Sequence, residues 1–183
     1  MNKILIASDI HGSAYWSEKL LDVFRFQGAS RLLLLGDLLY HGPRNDLPQD
    51  YAPKKVFASL NAIKDKITAV RGNCDSEVDQ MVLAFPMLAD YAIVSEGSWN
   101  LFATHGHLFN EATPPLLNGG DVLLNGHFHK PCHKKLSSGT YYVNCGSVSL
   151  PFDATPHSCV IFENGTFRWL NIESGQVFDE LVL

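Results

Sequence analysis

The sequence predicts an α/β (α+β) fold in which helices cover two β-sheets. Residues 3–70 alternate short apolar runs with stretches of helical periodicity, in the order βαβαβ. After Phe85 the pattern changes to short strands and tight turns, read as a mostly antiparallel continuation. No repeat, low-complexity tract or linker divides the 183 residues, so 1–183 reads as one domain, long enough for a sizeable core.

The elements follow in order. Residues 3–7 are apolar after Lys3 and make the first strand. Ser13 is placed to cap a helix over 15–27, whose apolar face is Trp16, Leu20, Val23 and Phe24, and Gly28 stands where the chain leaves it. Residues 31–35 form the second strand. Residues 36–52 form a long loop rich in Gly, Pro and Asn, of the kind that shapes a site. Pro53 opens a helix to about residue 63, with Val56, Phe57, Leu60 and Ile63 inward. Residues 67–70 are a strand and 76–83 a short helix. Strands then follow at 91–95, 99–104, 122–124, 134–136, 141–143, 159–162, 166–172 and 176–182. Asn164-Gly165 is a strong hairpin signal.

Bulk properties exclude several classes. Hydrophobic content is 46% and charged content 18%, a globular balance. The longest apolar runs are too short to span a bilayer, and the run at 4–7 is too short for an export signal, so no membrane association is expected and the cytoplasm is the expected location. A net charge of −5 argues against tight nucleic-acid binding, which rests on neutralising many phosphates. The four cysteines have no CxxC spacing and are read as reduced thiols; Cys132, Cys145 and Cys159 are taken as buried small hydrophobes.

The chemistry sits at strand ends. Asp9-Ile10-His11 follows the first strand, Gly36-Asp37 the second and Arg71-Gly72-Asn73-Cys74-Asp75 the third. His105-Gly106-His107 and Gly126-His127-Phe128-His129 follow two later ones. Each has a bland reading as a turn, a cap or a packed histidine. Five such motifs, all beyond the carboxyl ends of strands, fit one site better. Carboxylate, imidazole and amide oxygen suit Mn, Fe, Zn or Ni. Two Asp, four His and one Asn are too many for one ion and fit two ions sharing a carboxylate. Four cationic charges, less Asp9, Asp37 and a bridging hydroxide, leave about one positive charge for a phosphodiester.

The ordered set DxH, GD, GNxD, HGH and GHxH resembles the signature of the calcineurin-like metallophosphoesterase superfamily. Wider strings, among them Ser8-Asp9-Ile10-His11-Gly12, His41-Gly42-Pro43-Arg44-Asn45 and residues 70–81, resemble its small YfcE-type bacterial phosphodiesterases. The resemblance implies a β-sandwich flanked by helices and a metal-dependent phosphoric diester hydrolase. Asp9, His11 and His129 would bind one metal and Asn73, His105 and His127 the other, with Asp37 bridging and a shared hydroxide attacking in line. Mn²⁺ is the first expectation, with Zn²⁺, Fe²⁺ and Ni²⁺ as alternatives. His107 carries no ligand role. Members of the group often self-associate, so a homo-oligomer is an open expectation beside the small phosphodiester substrate.

Cys74 stands where the wider superfamily has a catalytic His. Whether it donates a proton, touches phosphate or is structural stays open here. Weak turnover of alkoxide leaving groups and better turnover of phenolic ones are expected. Two other readings are a non-catalytic protein-interaction scaffold, which predicts a large exposed apolar patch, and a phosphomonoesterase, for which Arg44 and Arg71 could supply the extra basic clamp.

Overall fold

The structure, a computed structural model, describes residues 3–183; Met1 and Asn2, at the head of the stretch read against an export signal, lie outside it. The first half runs β1 (Ile4–Ala7), α1 (Ala14–Phe26), β2 (Arg31–Leu34), α2 (Pro53–Asn61), a 3₁₀ turn at Lys64–Lys66, β3 (Ile67–Ala69) and α3 (Glu77–Gln80). The second half runs β4 (Tyr91–Glu96), β5 (Trp99–Thr104), β6 (Val122–Asn125), β7 (Cys132–Lys135), β8 (Tyr141–Asn144), β9 (Ser158–Glu163), β10 (Thr166–Asn171) and β11 (Val177–Val182).

The helices form as their sequences dictate. The Ser13 side chain accepts from Trp16 N at the start of α1, and Gly28 leaves the helix at φ 63°. Trp16, Leu20, Val23 and Phe24 are all buried. Pro53 occupies the first turn of α2, where its missing N–H costs nothing. At the Asn164-Gly165 turn both residues have positive φ, 51° and 76°, the geometry that matches strand twist in a tight hairpin.

Two sheets pack face to face. The first has strand order β11-β10-β9-β1-β2-β3 and the second β4-β5-β6-β8-β7. Leu5, Ala7, Leu32 and Leu34 face the helices, while Ile4, Ile6, Leu33 and Leu35 face the second sheet. Because both faces are covered, β1 and β2 are apolar almost throughout. The layer between the sheets also holds Leu101, Leu124, Val143, Phe162, Phe167 and Trp169.

After Phe85 most strand pairings are antiparallel, as expected, at β4–β5, β7–β8, β9–β10 and β10–β11, while β5 pairs parallel to β6 and β6 parallel to β8. The antiparallel hairpins near the C-terminus extend the first sheet through the β9 pairing with β1. Parallel neighbours need a crossover, and here residues 105–121 and the β7 excursion supply it without a helix. Cys132 is exposed rather than buried, because it lies on the edge strand β7; Cys145 and Cys159 are buried, and all four thiols are free. Among the described residues, no helix is long and apolar enough to cross a membrane.

Candidate metal centre

Each sheet contains a trio of parallel strands, and the site lies at their carboxyl ends. Asp9 and His11 follow β1, Asp37 follows β2 and Asn73 follows β3. His105 follows β5, and His127 and His129 follow β6. The structure brings all seven together.

The backbone that holds them is unusual. Asp9, His11, Asp37, His127 and His129 have φ between 49° and 64°. Left-handed backbone at a non-glycine residue costs about 1–3 kcal/mol and persists only where surroundings enforce it. Here hydrogen bonds between loops enforce it: Asp9 N donates to Gly36 O at 3.1 Å, His11 N to Asp37 O at 2.9 Å, and His127 N to the Asp9 carboxylate at 3.0 Å. Ser147 and Ser149 hydroxyls both donate to Asp9 O at 3.1 Å. The packing leaves no room for side chains at two points. A Cβ on Gly126 would overlap Ser8 Oγ and Asp9 Oδ2, and one on Gly72 would overlap Asp37 Oδ1.

The side chains fall into two clusters. In the first, His11 Nε2 and His129 Nε2 are 3.3 Å apart and lie 3.5 and 3.2 Å from Asp9 Oδ1. In the second, His105 Nε2 lies 3.0 Å from Asn73 Oδ1 and 3.2 Å from His127 Nδ1. Asp37 Oδ2 lies between them, 3.7 Å from His11 Nε2 and 3.5 Å from His105 Nε2.

These contacts fit cations. His11 Nδ1 faces Tyr40 O at 2.8 Å, His129 Nδ1 faces Leu150 O at 2.6 Å and His105 Nδ1 faces Leu35 O at 2.7 Å. A carbonyl only accepts, so each Nδ1 carries the proton and each Nε2 of a neutral ring presents a lone pair to the site. In the first cluster two such lone pairs therefore converge on Asp9 Oδ1, a buried oxygen that accepts no hydrogen bond. Acceptors aimed at one another repel unless a positive charge joins them, and a divalent ion supplies it.

The charge distribution of the metal-free site agrees. Burial opposes the Asp9 charge, but His11 and His129 outweigh it and hold the carboxyl well below the usual range. Burial also opposes charge on His105, yet Asp37 and Asp9 raise it to about 9. His127 moves the other way: burial and then the charge on His105 lower it to about 4. A proton thus takes the cation's place at His105. Cys74 is half-buried on the cleft wall, and burial followed by the Asp37 charge pushes its thiol up to about 12.

The sequence reading missed Asp75. Its carboxylate accepts from Asp37 N at 2.7 Å, Leu38 N at 2.9 Å and Gly72 N at 2.7 Å, so it staples the loop after β2 to the loop after β3. Burial and the Asp37 charge raise it to about 6. The charge sum based on Asp9 and Asp37 alone omitted it, although it is the last residue of the GNxD motif. Ser147 and Ser149 had no sequence signal, since they hold a backbone carbonyl. The other histidines are accounted for by packing: His157 stacks on Trp16 with centroids 3.5 Å apart, His133 lies 5.1 Å from Trp169, and His41 packs between Tyr40 and Tyr51. His107 sits behind the second cluster, 5.4 Å from the His105 ring.

A cleft of ≈ 490 Å³ opens over the clusters, walled by the Gly42–Asn45 stretch of the long loop and by Cys74, Phe128 and Phe152. Arg71 is held by Asp90 at 2.6 Å, whereas Arg44 on the cleft wall makes no hydrogen bond or ion pair among the described residues.

Comparisons with known proteins agree with this geometry. Residues 2–166 match the model of the calcineurin-like phosphoesterase superfamily domain. The chain is 43% identical to phosphodiesterase YfcE of Escherichia coli K12, over 100% of this chain and 99% of that protein. A solved structure of the E. coli phosphoesterase YfcE superposes with a TM-score of 0.95 over 98% of both chains. Vps29 of Chaetomium thermophilum, at 18% identity and a TM-score of 0.65 over 99% of this chain and 97% of that one, shares the fold. With its five strand-end motifs gathered into one candidate metal site, the chain belongs to the calcineurin-like phosphoesterase superfamily and is an enzyme of that class.

Proposed function

We propose that the protein is a dinuclear metal-dependent phosphodiesterase and that residues 1–183 act as one domain. Asp9, His11 and His129 hold one divalent ion, Asn73, His105 and His127 the second, and Asp37 bridges them. The observation that carries this reading is the placement of Asp37 Oδ2, 3.7 and 3.5 Å from one imidazole nitrogen of each cluster. The mixed oxygen and nitrogen donors suit Mn²⁺ first, with Zn²⁺, Fe²⁺ and Ni²⁺ compatible. When bound, two such ions acidify a shared water and clamp the attacking and leaving oxygens of an in-line phosphoryl displacement.

The chain's own groups do the rest. The backbone carbonyls behind His11, His105 and His129 hold the ring tautomers, and Asp75 holds the loop that aims Asp37. Arg44 is free to meet a phosphoryl oxygen, while Arg71 is already neutralised by Asp90. One free arginine suits the single charge of a diester better than the double charge of a monoester, and the YfcE relative is itself named a phosphodiesterase. Cys74 lines the cleft where the wider superfamily has a His, and with no imidazole acid there the site favours phenolic leaving groups, which need no proton.

Hydrolysis of bis(p-nitrophenyl) phosphate beside p-nitrophenyl phosphate tests this, using chelator-treated protein with Mn²⁺ restored and Asp37→Asn as control. The expected result is diester turnover that needs metal, exceeds monoester turnover and is lost in Asp37→Asn. Absence of turnover with any divalent ion, despite bound metal, would overturn the reading in favour of a scaffold.

A further inference from the structure

The two phenylalanine rings of the cleft each pack one side on a histidine and leave much of the rest open. Phe128 is 41% exposed and Phe152 51% exposed, yet both line the metal-facing cavity. Large apolar side chains are left in water at a cost, and a pair of them beside a set of converging polar groups is the usual composition of a ligand pocket.

Both rings are held in place. Phe128 lies between the ligands His127 and His129 in sequence, its N–H donates to Gly126 O at 2.7 Å, and its ring centroid is 5.0 Å from that of His127. Phe152 comes from the loop after β8, but its N–H donates to His129 O at 3.0 Å and its ring lies 4.8 Å from His129. Lys130 and Asp153 add an ion pair at 2.8 Å between the same two loops. The rings are thus fixed relative to the metal ligands, which lowers the ordering cost of binding against them. The same cleft is lined by Gly42, Pro43 and Arg44, of which Arg44 alone is cationic.

We propose that Phe128 and Phe152 form a subsite for a planar aromatic group carried on one arm of the phosphodiester. This rests on the dinuclear reading above and adds a substrate class to it. The phosphoryl group sits over the Asp37 clusters with Arg44 beside it, and the aromatic arm lies against the two phenylalanine rings. Stacking of a ring on an aromatic side chain is worth enough to change affinity about tenfold.

The test is calorimetric binding of phenyl-, cyclohexyl- and methylphosphonate, each as its singly charged methyl ester, to the Mn²⁺-loaded protein, in the parent chain and in Phe128→Ala and Phe152→Ala. Phenylphosphonate is expected to bind about tenfold more tightly than methylphosphonate, and cyclohexylphosphonate to fall clearly short of phenyl. Each alanine variant is expected to shrink the phenyl-to-methyl ratio to below about threefold, and Phe128→Tyr to keep it. Thermal melting confirms that the variants fold, as exposed positions should. An unchanged ratio in both alanine variants, or equal affinity for phenyl and cyclohexyl, would overturn the aromatic subsite while methylphosphonate binding left the metal reading standing. Failure of all three phosphonates to bind metal-loaded protein would overturn both.

Discussion

The two sheets are built on the same plan and covered in different ways. Each carries three parallel strands, β1-β2-β3 in one and β5-β6-β8 in the other, with antiparallel strands beside them. The outer face of the first is sealed by α1 and α2 in a cluster that includes Trp16, Leu20, Leu21, Phe24, Val56 and Leu60. Among the described residues, the outer face of the second buries only Phe102, Leu123 and Tyr142, packed with Phe109, Leu117 and Leu136 from loops and a turn. Tyr91, Ile93 and Leu116 stay exposed there. The donors divide as well. The first sheet supplies every candidate oxygen ligand, Asp9, Asp37 and Asn73, together with His11, and the second supplies the candidates His105, His127 and His129. Neither cluster is complete within one sheet, so the candidate metal centre doubles as a clasp between a rigidly covered sheet and a lightly covered one.

Removing a donor shared by both clusters should have the largest effect. Asp37→Asn is expected to lower kcat/KM for a phosphodiester by well over about 100-fold, since even the residues that merely position metal ligands cost 10–100-fold. Metal content measured alongside separates lost ions from lost chemistry. A fully active Asp37→Asn would break the view that the sheets meet through one shared carboxylate.

The unequal covers predict unequal costs. Leu20→Ala, on the buried face of α1 against the first sheet, is expected to destabilise by about 3–4 kcal/mol, because a packed helix does not collapse into the cavity. Phe102→Ala, whose ring meets Tyr91 at 4.7 Å and the loop residue Phe109 at 5.8 Å rather than a helix, should cost less despite the larger side chain. Denaturant melts of both decide it, and equal costs would mean that the loop packs as firmly as the helices.

Asp75 joins the loops of the first sheet alone. Asp75→Ala leaves three backbone N–H groups without their carboxylate and is expected to destabilise by about 3 kcal/mol, with Asp75→Asn milder. Diester turnover should fall about 10–100-fold in either, read after correction for the folded fraction.

The clasp also has a pH signature of smaller size. His105 has its pKa raised to about 9 in the metal-free fold against an ordinary value of 6.5. Its contribution is fully present below 6.5 and is lost as pH rises towards 9, so metal-free protein should become less stable across that window. A bound ion displaces that proton, and the ion's stabilisation should grow over the same window. Melting temperatures with chelator and with Mn²⁺ should therefore diverge from pH 6.5 to 9. Parallel curves would mean that His105 does not exchange a proton for a cation.

Much of this could be read in the chain. α1 and α2 follow from apolar spacing and from Ser13, Gly28 and Pro53, all of which act on neighbours a few residues away. The seven candidate ligands were found because each motif ends an apolar run, and strand ends converge in sheets of this kind. Cys132 was misread because an edge strand and an inner one share the same local pattern.

The sequence by itself determined which groups are available and which strand each one ends. Tertiary structure decided which strand lies beside which, since alternation tells a strand's faces but not its neighbour. A helix between two strands announces a parallel pair, as between β1 and β2; the helix-free crossover between β5 and β6 announces nothing. The same reason hid the stapling role of Asp75, the carbonyls that set the histidine tautomers, the ion pair of Arg71 with Asp90 and the contact of Phe152 with His129. Each is a contact between loops apart in sequence, made only once neighbouring strands of a sheet have paired or the two sheets have closed on each other.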